Sequence, residues 1–379
     1  MKDNPGFCYE IFNNFAFWSN ANGVGYNPCS FYAGYIDKNL PVDRAWTGDN
    51  RKKVIQLVAD GKPIPGCSTC YQEESANRKS RRQSSAELYT EFLNHIDIDQ
   101  SLSGPIGLDY SIGNWCNLKC VICGPHNSSF WISDYQKIYP NVTIQQYINR
   151  KSDVLEIEND SFLENIKSLH FHGGGEPLLS TAHVSLLERI DRVKGLSDVR
   201  VFYNTNATVR VTKEVLELWS RCKLIELYFS IDDVGSRFEY QRTGAKWDQV
   251  VENINWYQDN MPHNHMFNIN CVWGYLNLFY LTELDDWHKS SLPTNRHGDT
   301  CNLIFQKAIG KFGISHLSAT VKDFLQNKFQ GRHNLQMLLN DISENDKPHT
   351  TFWNSIQPID QIRNSDFRKL CPEWSAFLS

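Results

Sequence analysis

Three cysteines, Cys116, Cys120 and Cys123, fall within the stretch "GNWCNLKCVIC" at residues 113–123. Thiolates at this spacing can wrap one face of an iron–sulfur cube and ligate three of its four irons. The fourth iron then stays open to a small molecule, much as a catalytic zinc keeps one open coordination position. The same residues also admit a zinc site completed by His126, or a set of buried structural thiols. A second group, Cys8, Cys29, Cys67 and Cys70, supplies four thiolates with no gap and so describes a closed site, either a cluster or a structural zinc. Four of the eleven cysteines remain: Cys222, Cys271, Cys301 and Cys371. A free cysteine usually packs as a small hydrophobe, which is the default for each.

The elements that must position these groups follow from hydrophobic periodicity. Strands are expected over 106–112, 168–173, 199–205, 224–231, 267–273 and 302–306, and helices over 181–195, 212–222, 246–260 and 279–290. Strand–helix alternation at this spacing implies parallel βα units. The fold class is therefore α/β, a partial (β/α)6 barrel related to the TIM barrel, with its working face at the C-terminal ends of the strands. The polar motifs fall at those ends: Cys116 after the first strand, Gly174-Gly175-Glu176 after the second, Asn204 to Asn206 after the third and Asp232 after the fourth. Such registry points to a single active site. His170 and His172 alternate on the second strand and so share a face. A satisfied core histidine is the plainer reading, with contact to substrate the alternative for His172.

A chain of 379 residues, 41% hydrophobic and 13% aromatic, can bury a sizeable interior. We divide it into an N-terminal cysteine-bearing module (1–100), the barrel (101–330) and a C-terminal helical segment (331–379). A net charge of −5 gives no global basic field for nucleic acid or an anionic membrane. The one basic run, Arg78-Lys79-Ser80-Arg81-Arg82, reads as a solvated helix face; with Glu73 and Glu74 it could also line a peptide groove. No stretch reaches the ~18 apolar residues of a membrane span. The start lacks the basic-then-apolar order of a signal peptide. These features point to a cytoplasmic protein whose thiols stay reduced, and so to metal or redox chemistry over disulfides.

With these motifs in order, the chain resembles the radical S-adenosylmethionine (radical SAM) superfamily over roughly residues 101–330, the marks being CxxxCxxC after the first barrel strand and the GGE of "HGGGEPLL" one unit later. The resemblance implies a [4Fe–4S] cluster on Cys116, Cys120 and Cys123, with SAM on its open iron. It further implies that Gly174, Gly175 and Glu176 receive the methionine ammonium. "YNTNAT" looks like the polar end of the third strand, with Asn206 in the matching position. "YFSIDD" would present Ser230 and Asp232 to the ribose, and Arg242 would pair with the SAM carboxylate or else form a plain salt bridge. Ile122 stands where the family usually has an aromatic, so its backbone can meet the adenine but the stacking contact is missing.

The N-terminal cysteines, with "YNPCSFY" and "GKPIPGCSTCYQEE", resemble the twitch/SPASM auxiliary-cluster module, which implies an auxiliary [4Fe–4S] cluster on Cys8, Cys29, Cys67 and Cys70. Enzymes of that subgroup usually act on peptides, here a ribosomal precursor peptide, with an electron donor such as flavodoxin or ferredoxin. The tail "IDQIRNSDFRKLCPEW" looks like their closing segment and places Cys371 near the barrel mouth. By similarity to radical SAM peptide epimerases of the proteusin type, Cys371 is expected to return a hydrogen atom to a Cα radical, giving L-to-D inversion. Cys301 is the second choice. The alternatives are a cross-linking or cyclising radical SAM enzyme and a non-catalytic iron–sulfur or zinc protein on the same scaffold.

Overall fold

The computed structural model describes residues 7–20, 23–75, 79–92, 103–147, 156–292 and 301–377. Six parallel strands follow one another in space as they do in sequence: β4 (Gly107–Ser111), β5 (Ser168–Phe171), β6 (Arg200–Thr205), β7 (Leu224–Ser230), β8 (His265–Trp273) and β9 (Asn302–Lys307). Each lies within two residues of its expected position. Consecutive order with helical crossovers is what repeated βα units produce. The helices Ala182–Lys194, Lys213–Ser220 and Trp247–Asn260 also fall within two residues of expectation.

The period of two along each strand sorts side chains to opposite faces. On β6, Val201, Tyr203 and Thr205 are buried beneath the helices, while Arg200, Phe202 and Asn204 turn to the inner face. The helix Ala182–Lys194 covers the outer face with Leu186, Leu187 and Ile190, an amphipathic stripe at helical spacing. Register then aligns the C-terminal ends of β4 to β7 along one rim, directly before the motif loops.

The first hundred residues contribute more than short elements. Strand β1 (Asn14–Asn20) pairs parallel with β4, and β2 (Gly23–Asn27) and β3 (Asp37–Lys38) extend the sheet antiparallel, giving nine strands in the order β3-β2-β1-β4-β5-β6-β7-β8-β9. A smaller apolar cluster of Phe7, Ile11, Phe12, Val54, Ile55, Val58 and Ile64 surrounds Cys8 and abuts Cys67. The basic run is spent internally: Arg81 pairs with Glu10 at 2.7 Å and Arg82 with Glu74, while Arg78 lies outside the described residues.

At the other end, the helix Thr350–Arg363 and the turn to Trp374 pack back on the barrel. Trp374 is fully buried against Tyr275, Phe279 and Phe352. Arg363 reaches Asp134 at 2.9 Å and the Thr243 hydroxyl at 3.0 Å, tying this helix to the loop that carries the three cysteines. Among the described residues no helix is long and apolar enough to cross a membrane.

Candidate active site

The loop after β4 is held by its own backbone and by three neighbours. The Asn114 amide donates to the carbonyls of Pro125 and Tyr147, both at 2.8 Å. The Lys119 and Val121 N–H groups donate to Thr243 and Gln241 carbonyls at 2.9 and 2.7 Å, so the segment before Ala245 forms a backbone seam with the cysteine loop. The Trp131 indole donates to the Cys120 carbonyl at 2.6 Å. Cys116, Cys120 and Cys123 thus face one cavity, which Ile122, Gly175, Glu176, Asn204, Asn206, Ser230 and Arg242 also line.

The loop after β5 needs glycine. Gly173 and Gly175 have φ of 89° and 79°, a left-handed conformation that costs an L-residue energy. A Cβ on Gly174 would run into the Gly113 carbonyl, and one on Gly175 would sit 2.8 Å from the Trp115 carbonyl. That close approach lets Gly175 N–H donate to Asn127 and Glu176 N–H to Trp115, both at 2.8 Å. The two motif loops are thereby zipped together.

The Glu176 carboxylate is buried and already accepts three hydrogen bonds. Oε1 takes the Thr205 hydroxyl at 2.8 Å and Leu178 N–H at 3.2 Å, and Oε2 takes Asn206 N–H at 2.7 Å. Burial nevertheless raises its pKa to about 7. Its first duty is to latch the β5 loop to the end of β6, with lone-pair capacity left on Oε2. Asn206 donates to Asn117 at 3.0 Å and lies 3.9 Å from the Cys116 sulfur.

Arg242 is buried and pairs with Asp232 at 2.8 Å through one terminal nitrogen, while its Nε is buried without a hydrogen-bond partner. Asp232 also accepts Val272 N–H at 2.8 Å. Asp232 thus holds Arg242 beside the cavity. Ser230 and Ile122 line it.

The residues fit the group that the cysteine motif implies. Burial pushes the Cys116 and Cys123 thiols up to about 12 and raises Cys120 as well, so they stay protonated unless a cation takes their place. Arg242 lines the same cavity, so a guanidinium held by Asp232 stands beside the three thiols, the partner an acidic ligand would need.

The four N-terminal cysteines come from separate elements, yet the structure gathers them. Cys8 feels the charge of Cys67, Cys29 that of Cys8, and Cys67 that of Cys70. Burial raises all four, Cys8 to about 12 and Cys67 to about 11.

The two thiols expected to donate hydrogen are placed differently. Cys371 is buried beside Tyr280, Asp233 and Arg237 and lines neither the cysteine cavity nor the neighbouring one described next. Cys301 sits before the first residue of β9, at the strand end opposite the motif rim, with its carbonyl taken by His288. Cys222 and Cys271 are buried, as the default reading expects.

A second cavity of about 290 Å³ opens inside the barrel and is lined by inward residues of seven strands, among them Asn14, Asp109, His170, Asn204, Tyr228 and Gln306. Asn204 lines both cavities. Sequence reasoning passed over Asp109; the signal was an aspartate inside a strand that is otherwise fully buried. It also passed over Asn114 and Asn117, whose loop roles carry no periodic signature.

The radical SAM superfamily model matches residues 110–275. No curated protein matches the chain. Among solved structures, native anSMEcpe with bound AdoMet is similar over 63% of this chain and 63% of its own, at 18% identity and a TM-score of 0.39. Streptococcus suis SuiB aligns over 89% of this chain and 72% of its own, at 14% identity and a TM-score of 0.36. SuiB bound to precursor peptide SuiA aligns over 92% and 74%, at 13% identity and 0.37. The chain thus spans a little under two thirds of the length of anSMEcpe.

Proposed function

Residues 110–275 are a radical SAM domain, and on that premise we propose that this protein is an enzyme that abstracts a hydrogen atom from a peptide. A bound [4Fe–4S] cluster and SAM together supply reductive cleavage to a 5′-deoxyadenosyl radical, the species that takes the hydrogen. Cys116, Cys120 and Cys123 would hold three irons and leave the fourth for SAM. Gly174 and Gly175 would present backbone to the methionine ammonium, and Glu176, with lone-pair capacity left on Oε2, would offer the same charge a carboxylate. Arg242 would pair with the carboxylate, with Asp232 fixing the guanidinium. Ser230 serves the ribose, Ile122 gives an apolar wall for adenine, and Asn206 braces the Cys116 side.

One observation carries this reading: the three thiols, Gly175 of the glycine loop and Arg242 line one cavity, and Asn204 lines both that cavity and a polar, substrate-sized one. At about 290 Å³ the second cavity lies near the lower end of the ~300–1,000 Å³ typical of ligand pockets. It would admit the reacting residue of a peptide and leave the remainder outside. The peptide substrate and the auxiliary [4Fe–4S] cluster on Cys8, Cys29, Cys67 and Cys70 rest on the resemblance of the N-terminal segment and on the proximity of those four thiols. Such chemistry suits a reducing cytoplasm, with flavodoxin or ferredoxin as electron source.

The test is 5′-deoxyadenosine release by the anaerobically reconstituted, reduced protein. Release that vanishes in Cys116→Ala, Cys120→Ala and Cys123→Ala supports the reading; no release from the wild type overturns it.

Two outcomes for the peptide radical compete. L-to-D epimerisation at Cα requires a hydrogen donor, and Cys371 remains the candidate through a movement of the tail. Oxidative cross-linking requires no hydrogen donor, but the substrate radical must then lose a second electron, to the auxiliary cluster, and a proton as the new bond forms. Peptide mass separates them. Epimerisation leaves the mass unchanged in water and adds solvent deuterium in deuterated buffer, whereas cross-linking removes two hydrogens. Deuterium incorporation undiminished in Cys371→Ala would exclude that thiol as donor.

A further inference from the structure

The inner face of the barrel carries a group of side chains that the radical chemistry leaves unused. Asp109 on β4 and His170 on β5 are direct register partners, and His172 follows His170 on the same face two residues on. Asp109 Oδ1 lies 3.7 Å from His170 Nδ1, and Asp109 Oδ2 lies 3.9 Å from His172 Nε2. One ligand atom from each residue falls within 4.8 Å of the other two.

From this geometry we propose that Asp109, His170 and His172 form a mononuclear site for a divalent transition-metal ion, distinct from both cysteine groups. Two imidazoles and one carboxylate on one side of an ion, with further positions open, are a donor set suited to zinc or iron(II). Bonds of ~2.0–2.2 Å place donor atoms roughly 3.0–3.5 Å apart, so a set that lies within 4.8 Å closes on an ion when its farthest pair moves together by up to roughly 1.5 Å.

The surroundings are those of a ligand set. His172 Nε2 is buried without a hydrogen-bond partner, although it faces a carboxylate. His170 offers Nδ1 to the site while its Nε2 lies 3.1 Å from the Asn204 side-chain amide, which can turn its oxygen to accept the ring N–H. Asp109 Oδ2 accepts from Asn14 at 3.2 Å. Burial keeps both imidazoles neutral, His170 down to about 3, so their nitrogens are free to ligate. Arg81 reaches this end of the cavity, but its guanidinium is matched by Glu10 at 2.7 Å.

Asp109 and His170 line the cavity shared with Tyr228, Asn270 and Gln306. An ion there would anchor an oxygen donor of the substrate, a carboxylate or a carbonyl, beside Asn204, which lines both cavities. The site does not depend on the peptide reading, because it rests on its own three residues.

The test uses the reconstituted full-length protein equilibrated with zinc. We expect one zinc per chain beyond the iron of the cysteine sites, retained in Cys67→Ala/Cys70→Ala and in Cys116→Ala/Cys120→Ala/Cys123→Ala. His172→Gln and Asp109→Asn should each weaken zinc binding at least tenfold while iron and sulfide content is kept. Zinc-edge X-ray absorption of the wild type decides the matter without any variant. A shell of nitrogen and oxygen alone near ~2.0–2.1 Å supports the site, and a sulfur shell near ~2.3 Å overturns it. Failure of the wild type to retain zinc, or undiminished zinc in His172→Gln, overturns it too.

Discussion

Replacing Asp134 with alanine removes the shared partner of two cations. Asp134 sits 2.9 Å from both Lys119 and Arg363, and its side chain is 3% exposed, that of Arg363 5%. Arg363 also lies over the Trp131 ring at 4.5 Å and reaches Thr243, so the variant strands a buried guanidinium between the tail helix and the cysteine loop. Breaking a buried pair from one side costs ~3–5 kcal/mol, because the remaining charge loses its counterion and cannot regain water. At ~2 °C per kcal/mol for a long chain, melting should fall by roughly 6–10 °C. Burial alone would raise the Asp134 pKa, but hydrogen bonds from Lys119 and Arg363 outweigh it and hold the folded value below normal. Its contribution is therefore present above the unfolded value of ~3.9 and lost as pH falls through the lower folded value. Thermal melts of wild type and Asp134→Ala at neutral pH and near pH 3 measure both effects. The control is the exposed pair Arg44–Glu158, with side chains 66% and 43% exposed, where Arg44→Ala should cost under ~1 kcal/mol. A neutral-pH loss in Asp134→Ala no larger than in Arg44→Ala, or a difference that persists undiminished at pH 3, would refute the reasoning.

Arg242→Lys keeps a positive charge but loses the planar fork that spans Asp232 and the free Nε position. Loss of one charge-assisted hydrogen bond, ~1.5–3 kcal/mol, predicts a rise of roughly 10–150-fold in KM for SAM, read from 5′-deoxyadenosine release. Gly174→Ala forces a methyl group into the Gly113 carbonyl; a cost of ~1–3 kcal/mol and reduced iron content are expected, measured by urea unfolding and metal analysis. Ala207 holds φ of 60° while fully buried, so Ala207→Gly should stay within about 1 kcal/mol of wild type, whereas Ala207→Val should lose at least ~2 kcal/mol in the same unfolding assay.

Much of the barrel was legible because its signals are local. The β5 and β7 patterns and the stripe of the helix Ala182–Lys194 each show within a dozen residues, where periodicity alone separates strand from helix. The cysteine loop and the glycine loop were equally legible, since three thiols or three glycines at short spacing leave few alternatives. The partners of Asp232 were not legible in the sequence. The chain order shows that Asp232 follows a strand, and only packing shows that Val272 N–H and Arg242 claim both its oxygens.

The amino-acid sequence by itself determined which elements form, where their C-terminal ends carry polar motifs, and that three thiols stand without a fourth beside them. These follow from short-range periodicity, backbone sterics and ligand spacing. The tertiary structure alone decided that β1 lies parallel beside β4, that Asp109 faces His170 across a strand boundary, and that Arg363 closes on Asp134 from 229 residues away. It also decided that Cys371 is buried beside Tyr280, Asp233 and Arg237. Register and long-range docking are set by how whole faces bury against one another, a sum over distant residues that no local pattern carries.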